Sequence, residues 1–198
     1  MPAVTRAPDQ PPSETGSLDS LLRKSKRGAA FVYRPRPDSS PMHLVRFALG
    51  RWRQVLDRPK IAEVGLERFF RGEEGHMLLR ISHGAAPSRV QLSHGLGIHV
   101  PPRIEGAARG RPIRVQAVAR SDDTYLSEAR LGLAYFTYGP GGSGWRWFAV
   151  PRQWSIVEFT WVVPEKEGLK STISLLPGPP GTRGIDICQV TLSIGDPT

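Results

Sequence analysis

Trp145 and Trp147 stand one residue apart in the stretch "SGWRWFAV", with Arg146 between them and Arg152 a short way beyond. In an extended chain side chains alternate, so the two indoles project from one face and Arg146 and Phe148 from the other. Rings so placed suit one of three roles. Exposed, they make a flat platform for the C–H face of a sugar ring, with guanidinium or phenol groups beside it for hydroxyls and acidic substituents. Arg146, Arg152 and Tyr138 would supply those groups. Buried, the indoles fill the inside of a sheet protein; at a subunit boundary, they anchor a partner. Residue types and spacing leave the three open.

Nothing else in the chain has the spacing of a reaction centre. The histidines His43, His76, His83, His94 and His99 do not pair at metal-site spacing on one element beside a carboxylate. Ser82–His83 and Ser93–His94 are neighbours in sequence, not parts of a triad. Glu73 and Glu74 share a turn, whereas a glycosidase needs two carboxyls facing each other across a cleft. The single cysteine, Cys188, excludes an internal disulfide and reads as a small buried apolar residue. The expectation is a protein that is not an enzyme.

The elements that must position the tryptophans can be read from periodicity. Gly (21) and Pro (19) are abundant among 198 residues, which favours many turns and short strands. From about residue 68 the apolar period is two. In "RPIRVQAVARS", Ile113, Val115, Ala117 and Ala119 point one way and Arg114, Gln116 and Arg120 the other. In "WSIVEFTWVVP", Val157, Phe159, Trp161 and Val163 form a wholly apolar set that must face a core, while Trp154 is placed to close one end of it. With "HMLLRIS", "SRVQLS", "GIHVPP", "RLGLAYFTYG", "STISLLPG" and "IDICQVTLSI", this makes eight or nine strands. The fold class is therefore all-β, a jelly-roll β-sandwich.

The first part of the chain differs. Residues 1–60 carry a net charge of +7 and residues 61–198 only +2, so the basic character belongs to the leader. Residues 1–40 read as a disordered basic leader, with a short helix at 17–27 whose Leu18, Leu21 and Leu22 share a face. The sandwich domain is placed at 41–198. Its opening stretch, Ser40–Pro59, follows helical spacing through Leu44, Val45, Ala48, Leu49, Trp52, Val55 and Leu56, and a helix is expected there; a strand through Phe47 with a turn at Gly50 is the alternative. No signal peptide and no membrane span is recognised, so cytoplasmic residence, with assembly into a particle, is expected.

Three stretches together resemble a known family. "RPIRVQAVAR", then Trp154 to Pro164 as W-x-x-V-x-F-T-x-x-V-P, then "GIDICQVTLSIGDPT" are similar to the strands of galactose-binding-like, carbohydrate-binding jelly rolls. Such modules occur in glycoside hydrolases and phage tail fibres, and the likeness spans roughly residues 110–198. It implies non-catalytic binding of a glycan or glycan-bearing surface. It also implies a structural calcium, for which Asp186 is the candidate; Ile187 stands where a second acidic residue is expected. No other cofactor is implied. The alternative is an architectural subunit contacting a protein partner through its leader or a sandwich face. The basic leader would also suit nucleic acid.

Overall fold

The computed structural model describes residues 10–26, 43–47, 53–54, 64–71, 77–83, 96–122, 129–137, 141–165, 170–178 and 183–195. Two antiparallel sheets face each other. The first, sheet A, orders β10 (Arg146–Ala149), β8 (Arg130–Thr137), β12 (Ser171–Gly178), β6 (Leu96–His99) and β3 (Arg53–Gln54), with β9 (Gly141–Gly142) also on β8. The second, sheet B, orders β1 (Glu14–Thr15), β11 (Ser155–Val162), β7 (Pro112–Ser121), β13 (Arg183–Ile194), β5 (Met77–His83) and β4 (Val64–Arg71). The twelve residues of β13 pair with β7 on one side; on the other they pair first with β5 and then with β2 (His43–Phe47).

The alternation read from sequence builds the main core. Ile113, Val115, Ala117 and Ala119 of β7 meet Leu131, Leu133 and Tyr135 of β8, with Ile173 and Leu175 of β12, all buried. Helix α2 (Pro102–Ala108) closes one end, starting on the proline that suits a first helical position and inserting Ile104 and Ala108. Its Glu105 is buried with Ser171 and Thr137: the Ser171 hydroxyl donates to Glu105 at 3.0 Å and lies 3.2 Å from that of Thr137. Tyr135 lies beside this group, and burial pushes its hydroxyl pKa above the ordinary tyrosine value. Trp161 is half-buried at the margin of the core rather than inside it.

Two expectations are corrected. The stretch read as a helix over Ser40–Pro59 contains strands β2 and β3. Its apolar positions fit either period, and pairing Val45 with Leu192 and Phe47 with Val190 decides the matter. The second correction concerns the leader, read as disordered over 1–40 with a short helix at 17–27: the helix is present, and it is the reading of 10–16 as disordered that changes. Residues 10–26 instead lie on the sandwich. Ser13 N–H donates to Ile156 and Gly16 N–H to Trp154, β1 pairs with β11, and helix α1 (Leu18–Lys26) covers the outer face of sheet B. There Leu18, Leu21 and Leu22 bury against Leu78, Val118, Trp154, Ile156 and Cys188 in a second apolar cluster. Trp154 thus sits under α1, not at an end of the main core. Residues 1–9 and 27–40 lie outside the described residues.

One irregularity in β13 lets it serve both clusters. Its register against β7 shifts between Ile187 and Gln189. Ile185 and Ile187 face the main core before this bulge and Val190, Leu192 and Ile194 after it, while Cys188 turns outward under α1.

Candidate aromatic site on sheet A

The tryptophans follow β9, which runs antiparallel to the end of β8. Just beyond β9, the Ser143 N–H donates to the Tyr135 carbonyl at 2.8 Å, and its hydroxyl oxygen accepts from the Tyr135 N–H at 2.9 Å. A Cβ on Gly142 would collide with the Tyr135 carbonyl and with Phe136, so only glycine lets the chain double back this closely. Gly144 then takes a φ of 64°, in the left-handed region, and delivers Trp145 onto the sheet.

Where the rings lie follows from parity. Leu131, Leu133 and Tyr135 point into the core, so Gly132, Ala134 and Phe136 point outward. A Cβ on Gly132 would sit 3.1 Å from Trp145 and 3.2 Å from Trp147, and one on Gly178 would press on Trp147. The two indoles therefore rest on a glycine floor on the outer face of sheet A, 6.2 Å apart between centroids and tilted by 35°. Phe136 meets Trp145 edge-on at 5.5 Å. Phe148, on the opposite face of β10, is buried in the core. Both indoles are half-buried, and the Trp145 Nε1–H is a buried donor with no acceptor among the described residues.

The other expected site residues are dispersed. Arg146 has the parity of Phe148 and does not share the face of the tryptophans. Arg152 is exposed in the turn that leaves sheet A for β11. Tyr138 lies outside the described residues. Phe136, Gly132 and Gly178 were not singled out from sequence. The signal was present in "RLGLAYFTYG", where leucines and Tyr135 alternate with glycine, alanine and Phe136.

Nor does Asp186 fit calcium. It points away from the main core although Val190, an even number of residues on, points into it, because the bulge at Cys188 intervenes. Its buried carboxylate accepts from Arg80 Nε at 2.7 Å and Nη2 at 3.0 Å, and from Arg120 Nε at 3.3 Å. Arg80 also pairs with Asp122 at 2.6 Å, and the Arg120 guanidinium lies 4.7 Å over the Trp154 ring. The hydrogen bond to Asp186 holds the Arg80 pKa above its ordinary value. Two fixed guanidiniums occupy the carboxylate and would repel a dication. Ile187, the neighbouring position, is buried in the core.

The leader reaches the tryptophans as well. Gln10 bridges to Phe148: its N–H donates to the Trp147 carbonyl at 3.0 Å, and its carbonyl accepts from Ala149 at 3.2 Å.

No protein-family model matches the chain, and no curated protein does. Solved structures match in fold. The CBM22-1 xylan-binding domain from Paenibacillus barcinonensis Xyn10C is 9% identical, with a TM-score of 0.50 over 81% of this chain and 99% of that one. The xylan-binding module CBM15 is 10% identical, with a TM-score of 0.51 over 80% of this chain and 100% of that one. The CBM22-1–CBM22-2 tandem of Paenibacillus barcinonensis Xyn10C is 10% identical, with a TM-score of 0.51 over 81% of this chain and 47% of that one. In architecture, then, this chain is a two-sheet β-sandwich with the jelly-roll-like fold of carbohydrate-binding modules.

Proposed function

We propose that the chain is a non-catalytic glycan-binding module, working as part of a larger assembly such as a phage-like particle or an intracellular polysaccharide machinery. The observation that carries the reading is the row Phe136–Trp145–Trp147 laid over Gly132 and Gly178 on the outer face of one sheet. Indole faces stack on the C–H patches of pyranose rings. The fold neighbours described as xylan-binding support the same reading. Cytoplasmic residence belongs to the proposal.

Titration calorimetry of the full chain against a panel of soluble polysaccharides tests it. Wild-type protein is expected to bind at least one of them. The Trp145→Ala/Trp147→Ala variant, shown to be folded by its far-UV spectrum, is expected to lose about 30-fold or more in affinity. Flat titrations, or unchanged affinity in the double variant, would overturn the proposal. A stable oligomer in which both indoles resist quenching would favour the architectural alternative.

A further inference from the structure

The strap that joins α1 to sheet A is stiff where it crosses between the sheets. It reads Gln10–Pro11–Pro12–Ser13. Gln10 bonds the edge strand β10: its N–H donates to the Trp147 carbonyl, and its carbonyl accepts from the Ala149 N–H. Ser13 bonds β11, its N–H and its hydroxyl both donating to the Ile156 carbonyl, at 2.8 and 3.0 Å. Between these anchors stand only prolines, which have no N–H to satisfy and hold φ near one value. The strap then pairs Glu14 with Ile156 and Thr15 with Ser155, bonds Trp154 from Gly16, and enters the helix that buries Leu18, Leu21 and Leu22. Two backbone hydrogen bonds contribute little beside the cost of ordering a chain segment, so Gln10 does not hold β10 unaided. Ser13 and α1 keep it there by fixing the far end of a short, rigid link.

We infer that the Pro11–Pro12 link is a coupling device: docking of α1 on sheet B sets the placement of Trp147 on sheet A, and through it ligand binding at the aromatic row. The last clause rests on the glycan-binding reading above; the first does not. Gln10 is a positioning residue in this device and acts through its backbone, the residue itself being exposed. Helix α1 has nine residues, too few to persist as a helix away from the sheet. Lifting its leucine stripe therefore dissolves the helix, slackens the strap and releases β10. The coupling is reciprocal: a ligand that fixes Trp147 tightens the hold of the leader on sheet B. Anything that takes the leucine stripe off one sheet weakens a site on the other.

Two readouts on the full chain report the coupling without a ligand: amide exchange at Ala149, and the fluorine resonance of Trp147 in protein labelled with fluorinated tryptophan, assigned with Trp147→Phe. Amide exchange at Ile173, in the middle of sheet A, reports the fold. Two variants break the device at different places. Leu18→Asp/Leu22→Asp lifts α1; exchange at Ala149 is expected to quicken about tenfold or more, with the Trp147 resonance shifted. Pro11→Gly/Pro12→Gly slackens the link and touches neither apolar cluster; a quickening of about fivefold is expected at Ala149. Gln10→Ala keeps the backbone bonds and is expected to change nothing; a change there would overturn the backbone route. Unaltered Ala149 exchange and Trp147 resonance in the proline variant overturn the inference, and that variant decides the matter if the helix variant also loses protection at Ile173. Each variant is then titrated with a polysaccharide that the wild type binds. A loss of about threefold or more is expected, and unchanged affinity would overturn the link to the site. Flat wild-type titrations would instead bring down the glycan-binding reading, with the coupling itself still decided by exchange and fluorine resonance.

Discussion

The two outer faces of the sandwich carry similar apolar material and use it differently. On sheet B, Trp154, Ile156, Leu78, Val118 and Cys188 form a patch that the chain covers with its own helix, sealing in Leu18, Leu21 and Leu22. On sheet A, Phe136, Trp145 and Trp147 form a row whose indoles remain half-exposed, on a floor of glycine. Trp154 is buried beneath α1 with a guanidinium over its ring, whereas Trp147 is held in place by backbone bonds to Gln10. An apolar surface that a protein covers contributes to stability; one that it leaves partly bare is available to a ligand. What separates them is the glycines beneath the sheet A indoles, where sheet B instead interlocks with the leucines of a helix.

The largest effect is expected at the rim of the covered face. Asp186→Ala leaves the Arg80 and Arg120 guanidiniums beside each other without their buried carboxylate and is expected to cost about 4 kcal/mol of unfolding free energy, measured in urea. If stability is unchanged, the ion network does not hold this face together. Leu21→Ala comes next. It empties a fully buried site between α1 and the sheet and is expected to cost about 3 kcal/mol. A loss of under about 0.5 kcal/mol would mean that α1 does not stay docked and that both faces are equally bare. The smallest effect sharpens the contrast from the other side. Gln10→Pro removes the N–H that bonds the Trp147 carbonyl and is expected to cost about 1 kcal/mol. It should also speed amide exchange at Ala149, which donates to the Gln10 carbonyl; unaltered exchange there would show that the leader does not steady β10.

The sandwich was legible in the sequence because its strands alternate strictly, as in Ile113–Ala119, and alternation leaves few ways to bury one face. Where an apolar pattern fits two periods, as at Ser40–Pro59, only the strand that pairs with it decides, and that partner lies about 140 residues away. The apolar stripe of α1 was readable from Leu18, Leu21 and Leu22, but a stripe does not name what covers it; Val118 and Ile156 looked like outward positions of half-exposed strands. The outward turn of Asp186 was hidden by one extra residue at Cys188, which no local propensity announces. At the candidate site the indoles were identified from their spacing, but not the glycines beneath them, since a glycine that serves as a floor looks the same in sequence as one that serves in a turn.

The strap formed by residues 10–16 runs past the margins of both sheets, bonding β10 through Gln10 and β11 through Ser13, Glu14 and Gly16. An unpaired strand margin is a template on which another chain can add its own strand, and so a starting point for fibrous self-association. By satisfying its own margin at these points, the molecule denies that flank to a second copy. Crowding many copies onto a surface, as a multivalent assembly would require, then carries less risk of their fusing sheet to sheet along this side.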